Sequence, residues 1–364
     1  MSNARVMDLI GTGPRLSVEV VPSLPAEMLT GLLKFGMEDS VETFDVGAPW
    51  FEEVRKNASR ALLDELRRAS REGIRPAGDL IGIVLQPTPC ADIPSFLERV
   101  RGTEADELWL ALSGYHVVPI RERVGEDVFR RAAAGDTEAR RGLVETARKV
   151  YPDTSSDEPT PRLELDTGTA KSLVMEVLER WYEEIFKPTE TETIDILARD
   201  AEAKVAMAAG LSPEALIEAA TNGLEFRREP WASRVILMPQ VALRPWNTMS
   251  GWEDLYILGY PVADESLGLD QSAPPASLVR LHKALGDEKR LRMLKVLAKG
   301  SASLQQLAHA TGLAKSSAHH HLVILRAAGL VKVTTGEESI YTLRRDFVPE
   351  ASAMLGAFLE GRPS

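Results

Sequence analysis

One cysteine, Cys90, stands in a chain of 364 residues. That scarcity excludes an internal disulfide framework and any multi-cysteine metal site. Long apolar runs are missing as well: nowhere do about eighteen apolar residues follow one another, the length a membrane-spanning helix needs. The first residues, MSNARVMDLIGTGP, lack the apolar core and cleavage site of a secretory leader. These absences predict a cytoplasmic protein with no membrane partner. Length allows two or three domains, each with its own core.

Net positive charge is also missing, since the formal charge is −11. The average hides an asymmetry. From Leu278 to Ser364 there are 13 Lys and Arg against 7 Asp and Glu, a balance of +6, so the preceding part carries −17. A basic segment on an acidic body is the footprint expected of a local DNA-binding module, although charge alone is equally satisfied by a solvated surface.

Two stretches read as linkers. Tyr151 to Arg162 (YPDTSSDEPTPR) is rich in Pro, Ser, Thr and acid. Ala263 to Ser277 (ADESLGLDQSAPPAS) ends near a Pro-Pro pair that cannot continue a helix. The main boundary falls there, giving a body over 1–262, a linker over 263–277 and a C-terminal domain over 278–364. Within the body, Leu16 to Val20 alternates like a half-buried strand. A helix follows with Met28, Leu29, Leu32, Leu33 and Phe35 inward. Phe51, Val54, Ala58, Leu62 and Leu66 predict one longer helix from about Pro49 to Ser70. More helices are expected from Ile93 to Gly223, and strands at Val235–Met238 and Leu255–Leu258. The expected class is α+β: a mainly helical body with a small antiparallel sheet, then a C-terminal module.

Signals in that module are dense. A short helix carries Leu278, Leu281 and Leu285 and stops at Gly286. Asp287 can cap the next, whose expected inner face is Leu291, Leu294 and Leu297. Ser303 with Gln306 forms a capping box for a third helix with Leu304, Leu307 and Ala308 inward. Gly312 supplies a turn. A fourth helix runs from about Lys315 to Ala328 with Ala318, Leu322 and Leu325 inward, closed by Gly329. Two helices across a glycine-containing turn form a helix-turn-helix, and the second can enter the major groove. Val331 to Leu343 then reads as two strands around a short turn, the wing of a winged helix.

On that second helix Ser316 and His320 point outward and Ser317 lies nearby, while Lys315 and His319 flank the face. Hydroxyls and imidazoles can bond base edges, and Lys315 can reach a phosphate. Arg326, Lys332 and Arg344 are candidate phosphate contacts, with Thr334 and Thr335 on the wing. His321 sits beside the apolar stripe and reads as structural. The last helix places Phe347, Ala351, Met354, Leu355 and Phe358 on one stripe, a candidate dimer interface or a cap on the core. A homodimer would read an inverted-repeat operator in double-stranded DNA.

The strings ALGDEKRLRMLKVLAKG, LQQLAHATGLAKSSAHHHLVILRAAGLV and G…IYTL together resemble the arsenical-resistance repressor (ArsR) family of winged-helix regulators. The resemblance covers about 80 residues and implies a homodimeric repressor that leaves DNA when an effector binds. Upstream, FDVGAPWFEEVR and ILMPQVALRPWN are similar to a subgroup with a large N-terminal region. Two positions depart from the family: Ala314 stands where a capping Ser or Thr commonly opens the recognition helix, and Glu337 and Glu338 occupy the wing tip.

Metal sensing in that family uses cysteine pairs, and Leu304-Gln305-Gln306-Leu307-Ala308 has none. His319, His320 and His321 are consecutive and point about 100° apart, so they cannot converge on one ion. No metal or cofactor is expected. Nor is an enzyme: the chain lacks a P-loop, G-x-S-x-G and H-E-x-x-H, and Gly11-Thr12-Gly13-Pro14 is a poor glycine loop. His116 and Cys90 have no partners visible in the sequence. All six tryptophans lie in the body, where Arg244, Trp246 and Asn247 are candidates for the rim of a small organic effector site. The competing reading is a non-enzymatic interaction scaffold whose winged helix binds a protein partner.

Overall fold

The computed structural model describes residues 16–74, 80–150, 164–224, 226–268, 273–334, 339–345 and 347–360. Strand β1 (Ser17–Val20) leads into helix α1 (Leu24–Phe35). Ser23 starts that helix, its hydroxyl accepting the Ala26 N–H at 3.3 Å.

The apolar periodicity from Pro49 to Ser70 belongs to two helices rather than one, α2 (Gly47–Asn57) and α3 (Arg60–Glu72). The break has an identifiable cause. Ser59 leaves helical geometry to cap α3, accepting the Leu62 N–H at 3.1 Å. Its own N–H and hydroxyl donate to the distant Glu184 carboxylate at 2.7 and 2.9 Å. Phe51 and Val54 before the cap and Leu62 after it are all buried, which is why the pattern looks continuous.

Among the described residues the body has nine further α-helices: α4 (Ile81–Leu85), α5 (Ile93–Gly102), α6 (Ala105–Leu112), α7 (Val118–Val124), α8 (Glu126–Ala133), α9 (Thr137–Val150), α10 (Thr167–Trp181), α11 (Glu190–Ala208) and α12 (Pro213–Ala220). Helix α10 is the centre of the main core, with Leu173, Val174, Val177, Leu178 and Trp181 all buried.

Strands β2 (Arg234–Gln240), β3 (Thr248–Trp252) and β4 (Leu255–Pro261) join β1 in a sheet of order β1-β2-β4-β3. This sheet is mixed rather than purely antiparallel: β1–β2 and β2–β4 are parallel, and only β3–β4 is antiparallel. The reason is burial on both faces. Ile236 and Met238 of β2 face the large helical core, while Val235 and Leu237 face a second cluster built on α11 and α12. A strand covered on both sides reads as an unbroken apolar run, and that is the habit of parallel strands.

The C-terminal module contains α13 (Ala276–Leu285), α14 (Glu288–Leu297), β5 (Ala302–Ser303), α15 (Leu304–Thr311), α16 (Lys315–Ala327), β6 (Val331–Thr334), β7 (Ile340–Leu343) and α17 (Phe347–Leu359). Its small antiparallel sheet has the order β5-β7-β6. Local chemistry sets the boundaries. Asp287 accepts the Arg290 N–H at 2.9 Å to open α14. Ser303 and Gln306 bond reciprocally at 2.8 and 3.4 Å to open α15. Gly312 ends α15 in the left-handed region, at φ +68°. The core comprises Leu281, Met293, Leu297, Leu307, Ala318, Leu322 and Leu325, among others. Leu291, expected inward on α14, is instead exposed, and Met293 takes the buried face.

The linker expected at 151–162 lies outside the described residues. The stretch at 263–277, of which 269–272 are not described, holds a 3-10 turn (Asp264–Leu267) and the start of α13. Asp264 accepts the Ser277 N–H at 3.0 Å and pairs with Arg244, so this segment is bonded to the body.

Candidate nucleic-acid interface

Helix α16 has two halves with different surroundings. In its first turns Lys315, Ser316, Ser317, His319 and His320 are exposed, while Ala318 is fully buried. The five polar residues cover the side of the helix opposite the buried alanine. Ala314 takes the N-cap position with extended geometry and no capping side chain, so the first-turn amides have no side-chain acceptor from it. His321 is half-buried, with Nδ1 at 3.9 Å from the Asp287 carboxylate. Burial pulls its pKa down against the opposing pull of Asp287, so the ring favours its neutral form.

The second half of α16 and the base of the wing turn toward the body. Arg326 lies over the Trp246 ring at 5.9 Å. Lys332 pairs with Glu218. Arg344 donates to the Asn222 carbonyl at 2.9 Å and the Gly329 carbonyl at 3.3 Å. The approach at Gly223 is close: a Cβ there would lie 2.8 Å from Arg344 Nε, and φ is +97°. Three residues expected on phosphates are therefore held within the chain, in contrast to the exposed set from Lys315 to His320. Thr334 is half-buried on β6. Thr335, Glu337 and Glu338 lie outside the described residues.

Arg280 on α13 strengthens the same junction. Its Nε donates to the Ala327 carbonyl at 3.0 Å and its guanidinium pairs with Asp45 of the body. Arg244, Trp246 and Asn247 are on the facing loop. Arg244 is only 5% exposed, set between Asp45 and Asp264. Burial raises the Asp264 pKa, but Arg244 and the bonds from Ser277 outweigh it and hold the carboxyl below its usual value. Trp246 Nε1 donates to Thr43 Oγ1 at 3.2 Å, and Asn247 Nδ2 donates to the Thr221 carbonyl at 2.8 Å. Glu27 fixes the loop from below, accepting the Val241 and Ala242 N–H groups at 3.1 and 2.6 Å. Burial still pushes its pKa up to about 6.

Between loop and module lies a cavity of about 620 Å³. Its walls include Arg244, Trp246 and Asn247 together with Arg326, Lys332 and Arg344. Residues expected at two separate sites thus meet in one cleft, which spacing could not reveal because body and module are far apart in sequence.

Helix α17 packs on α13. Leu355 and Leu359 are exposed, Phe358 is half-buried and Met354 reaches the cleft. The side chains of Phe347 and Ala351 lie outside the described residues. His116, without a visible partner in the sequence, stacks on Trp252 at 3.9 Å and bonds Glu253 at 2.8 Å. Glu253 also takes a bidentate contact from Arg121. Among the described residues no three His, Cys, Asp or Glu gather as metal ligands, and no helix is long and apolar enough to cross a membrane.

Residues 287–333 match the family described as bacterial regulatory protein, arsR family. Three solved structures are similar to part of the chain. An ArsR family transcriptional regulator is 24% identical, over 23% of this chain and 93% of that one, with a TM-score of 0.21. A possible transcriptional regulatory protein fragment from Mycobacterium bovis is 27% identical, over 25% and 99%, with a TM-score of 0.21. A homodimeric winged helix-turn-helix DNA-binding domain from Mycobacterium bovis is 27% identical, over 24% and 82%, with a TM-score of 0.20. No curated protein matches. The family match is confined to residues 287–333 of the module, and none of these structures covers more than 25% of the chain.

Proposed function

We propose, for a chain whose C-terminal module carries the arsR-family helix-turn-helix, that it works as a cytoplasmic, homodimeric repressor. A dimer would cover a promoter at two inverted half-sites about one DNA turn apart. The observation that carries this reading is the exposed polar face from Lys315 to His320 on a helix whose other face is packed into the core. Ser316, Ser317, His319 and His320 supply base-edge contacts, and Lys315 supplies a phosphate contact. The uncapped first-turn amides next to Ala314 suit a phosphate as well. Exposed Leu355 and Leu359 on α17 supply apolar surface for the partner. The body senses a small organic effector and changes the spacing of the two recognition helices.

Genome-fragment selection by the full chain at low and high salt tests this. Counterion release predicts an inverted repeat recovered at low salt and lost as salt rises. Lys315→Ala should weaken binding to all sequences, whereas Ser316→Ala and His320→Ala should mainly blunt sequence preference. Absence of enrichment at any salt would instead favour a module that docks an acidic protein.

A further inference from the structure

The cleft between body and module carries more positive charge than it neutralises. Arg326 is the telling residue. Burial pulls its guanidinium pKa down and Tyr341 pulls it the other way, yet among the described residues no carboxylate lies within ion-pair range, and the guanidinium lies over the face of Trp246. A half-buried cation without a carboxylate partner is better satisfied when a ligand supplies the counter-charge. Buried polar atoms lie on the same wall. Arg244, nine-tenths buried, has its Nη1 without an acceptor, and Asn247 Oδ1 is buried without a donor. The rest of the lining includes Met207 and Met354, an apolar setting for a flat organic group beside the Trp246 indole.

We infer that this cleft binds a small organic anion, with a carboxylate or phosphate on Arg326 and an apolar planar part against Trp246. Because Arg326 belongs to the recognition helix and Trp246 to the body, an anion drawn between them shifts the end of that helix relative to the body. Coupling arises if the anion contacts the two arrangements unequally. The Lys332–Glu218 and Arg280–Asp45 pairs, which bridge the same junction, set the arrangement it must shift. The site itself stands apart from the DNA-binding reading; its coupling to DNA rests on that reading.

Calorimetry and tryptophan fluorescence on the full chain without DNA test the site, with benzoate, phenyl phosphate and neutral benzamide as probes. At least one anion is expected to bind with a Kd of about 1 mM or tighter, with benzamide clearly weaker. Which anion wins separates a carboxylate ligand from a phosphate ligand. Arg326→Gln should weaken binding about tenfold through loss of the charge-assisted bond. Met207→Glu, at an exposed position on the rim, should weaken it by adding a like charge without touching the core. No binding by either anion, equal binding of benzamide, or quenching that survives Trp246→Phe would each overturn the site. The duplex recovered by fragment selection then tests the coupling. An anion that binds but leaves DNA affinity unchanged overturns it. A chain that binds no DNA overturns the proposed function and leaves the site to be judged by calorimetry.

Discussion

Body and module are held together by bonds of different reach. In the module, the side chains that open helices act three residues away, as Asp287 does on Arg290 and Ser303 with Gln306. In the body, the decisive bonds span the chain. Ser59 ends one helix and starts another while bonded to Glu184, 125 residues later, and Glu27 holds the Val241 amide across 214 residues. Strand β1 finds its parallel partner only after the twelve α-helices described in the body have intervened. Local bonding lets a short segment specify a compact reading head. Long-range bonding ties a large frame together and places the cleft at the seam, where loops from distant parts of the chain must meet.

The comparison breaks most visibly if the two cores are not independent. Leu322 is fully buried in the module core, and Leu322→Ala should cost about 3 kcal/mol. All six tryptophans lie in the body, so thermal melting followed by tryptophan fluorescence should stay near wild type while the module's share of helical circular dichroism melts early. A matching drop in both signals would mean that the halves unfold as one.

A smaller effect tests the body's long-range latch. The Glu27 pKa in the folded chain, about 6, is above its ordinary 4.5, so folding favours the protonated form. Its contribution is fully present below pH 4.5 and is lost as pH rises through 6, about 2 kcal/mol in all. The stability difference between wild type and Glu27→Gln should therefore change by that amount across this window in denaturant titrations. A flat difference would remove the carboxyl from the account.

The module's local bonds predict smaller losses. Ser303→Ala should cost about 1 kcal/mol, read as a lowered denaturation midpoint of the module. Least of all, Glu218→Gln should change stability by no more than about 0.5 kcal/mol, because the pair with Lys332 is part-exposed. Its value is in what it frees. Released from Glu218, Lys332 should raise low-salt DNA affinity a few-fold; unchanged affinity would confine Lys332 to the seam.

Much of the module was readable in the sequence because its determinants are close neighbours: capping pairs, closing glycines and an apolar stripe at helical spacing. The slip at Leu291 is instructive, since on α14 several aliphatic residues compete for one face and only the packing partners select Met293. In the body, apolar runs marked the strands but not their direction, which depends on what covers the second face. Arg326, Lys332 and Arg344 show the same division at the site. Their charge suits phosphate, but what they touch depends on a surface formed elsewhere in the chain.

The sequence by itself determined the winged helix-turn-helix, its caps and the polar face from Lys315 to His320, because helical periodicity and capping act within a few residues. Only the tertiary structure decided that the sheet of the body is mixed, that Ser59 divides a helix, and that Arg326 meets Trp246 across a cleft. Those outcomes rest on burial and on contacts between residues 80 or more positions apart, and no local pattern encodes such a meeting.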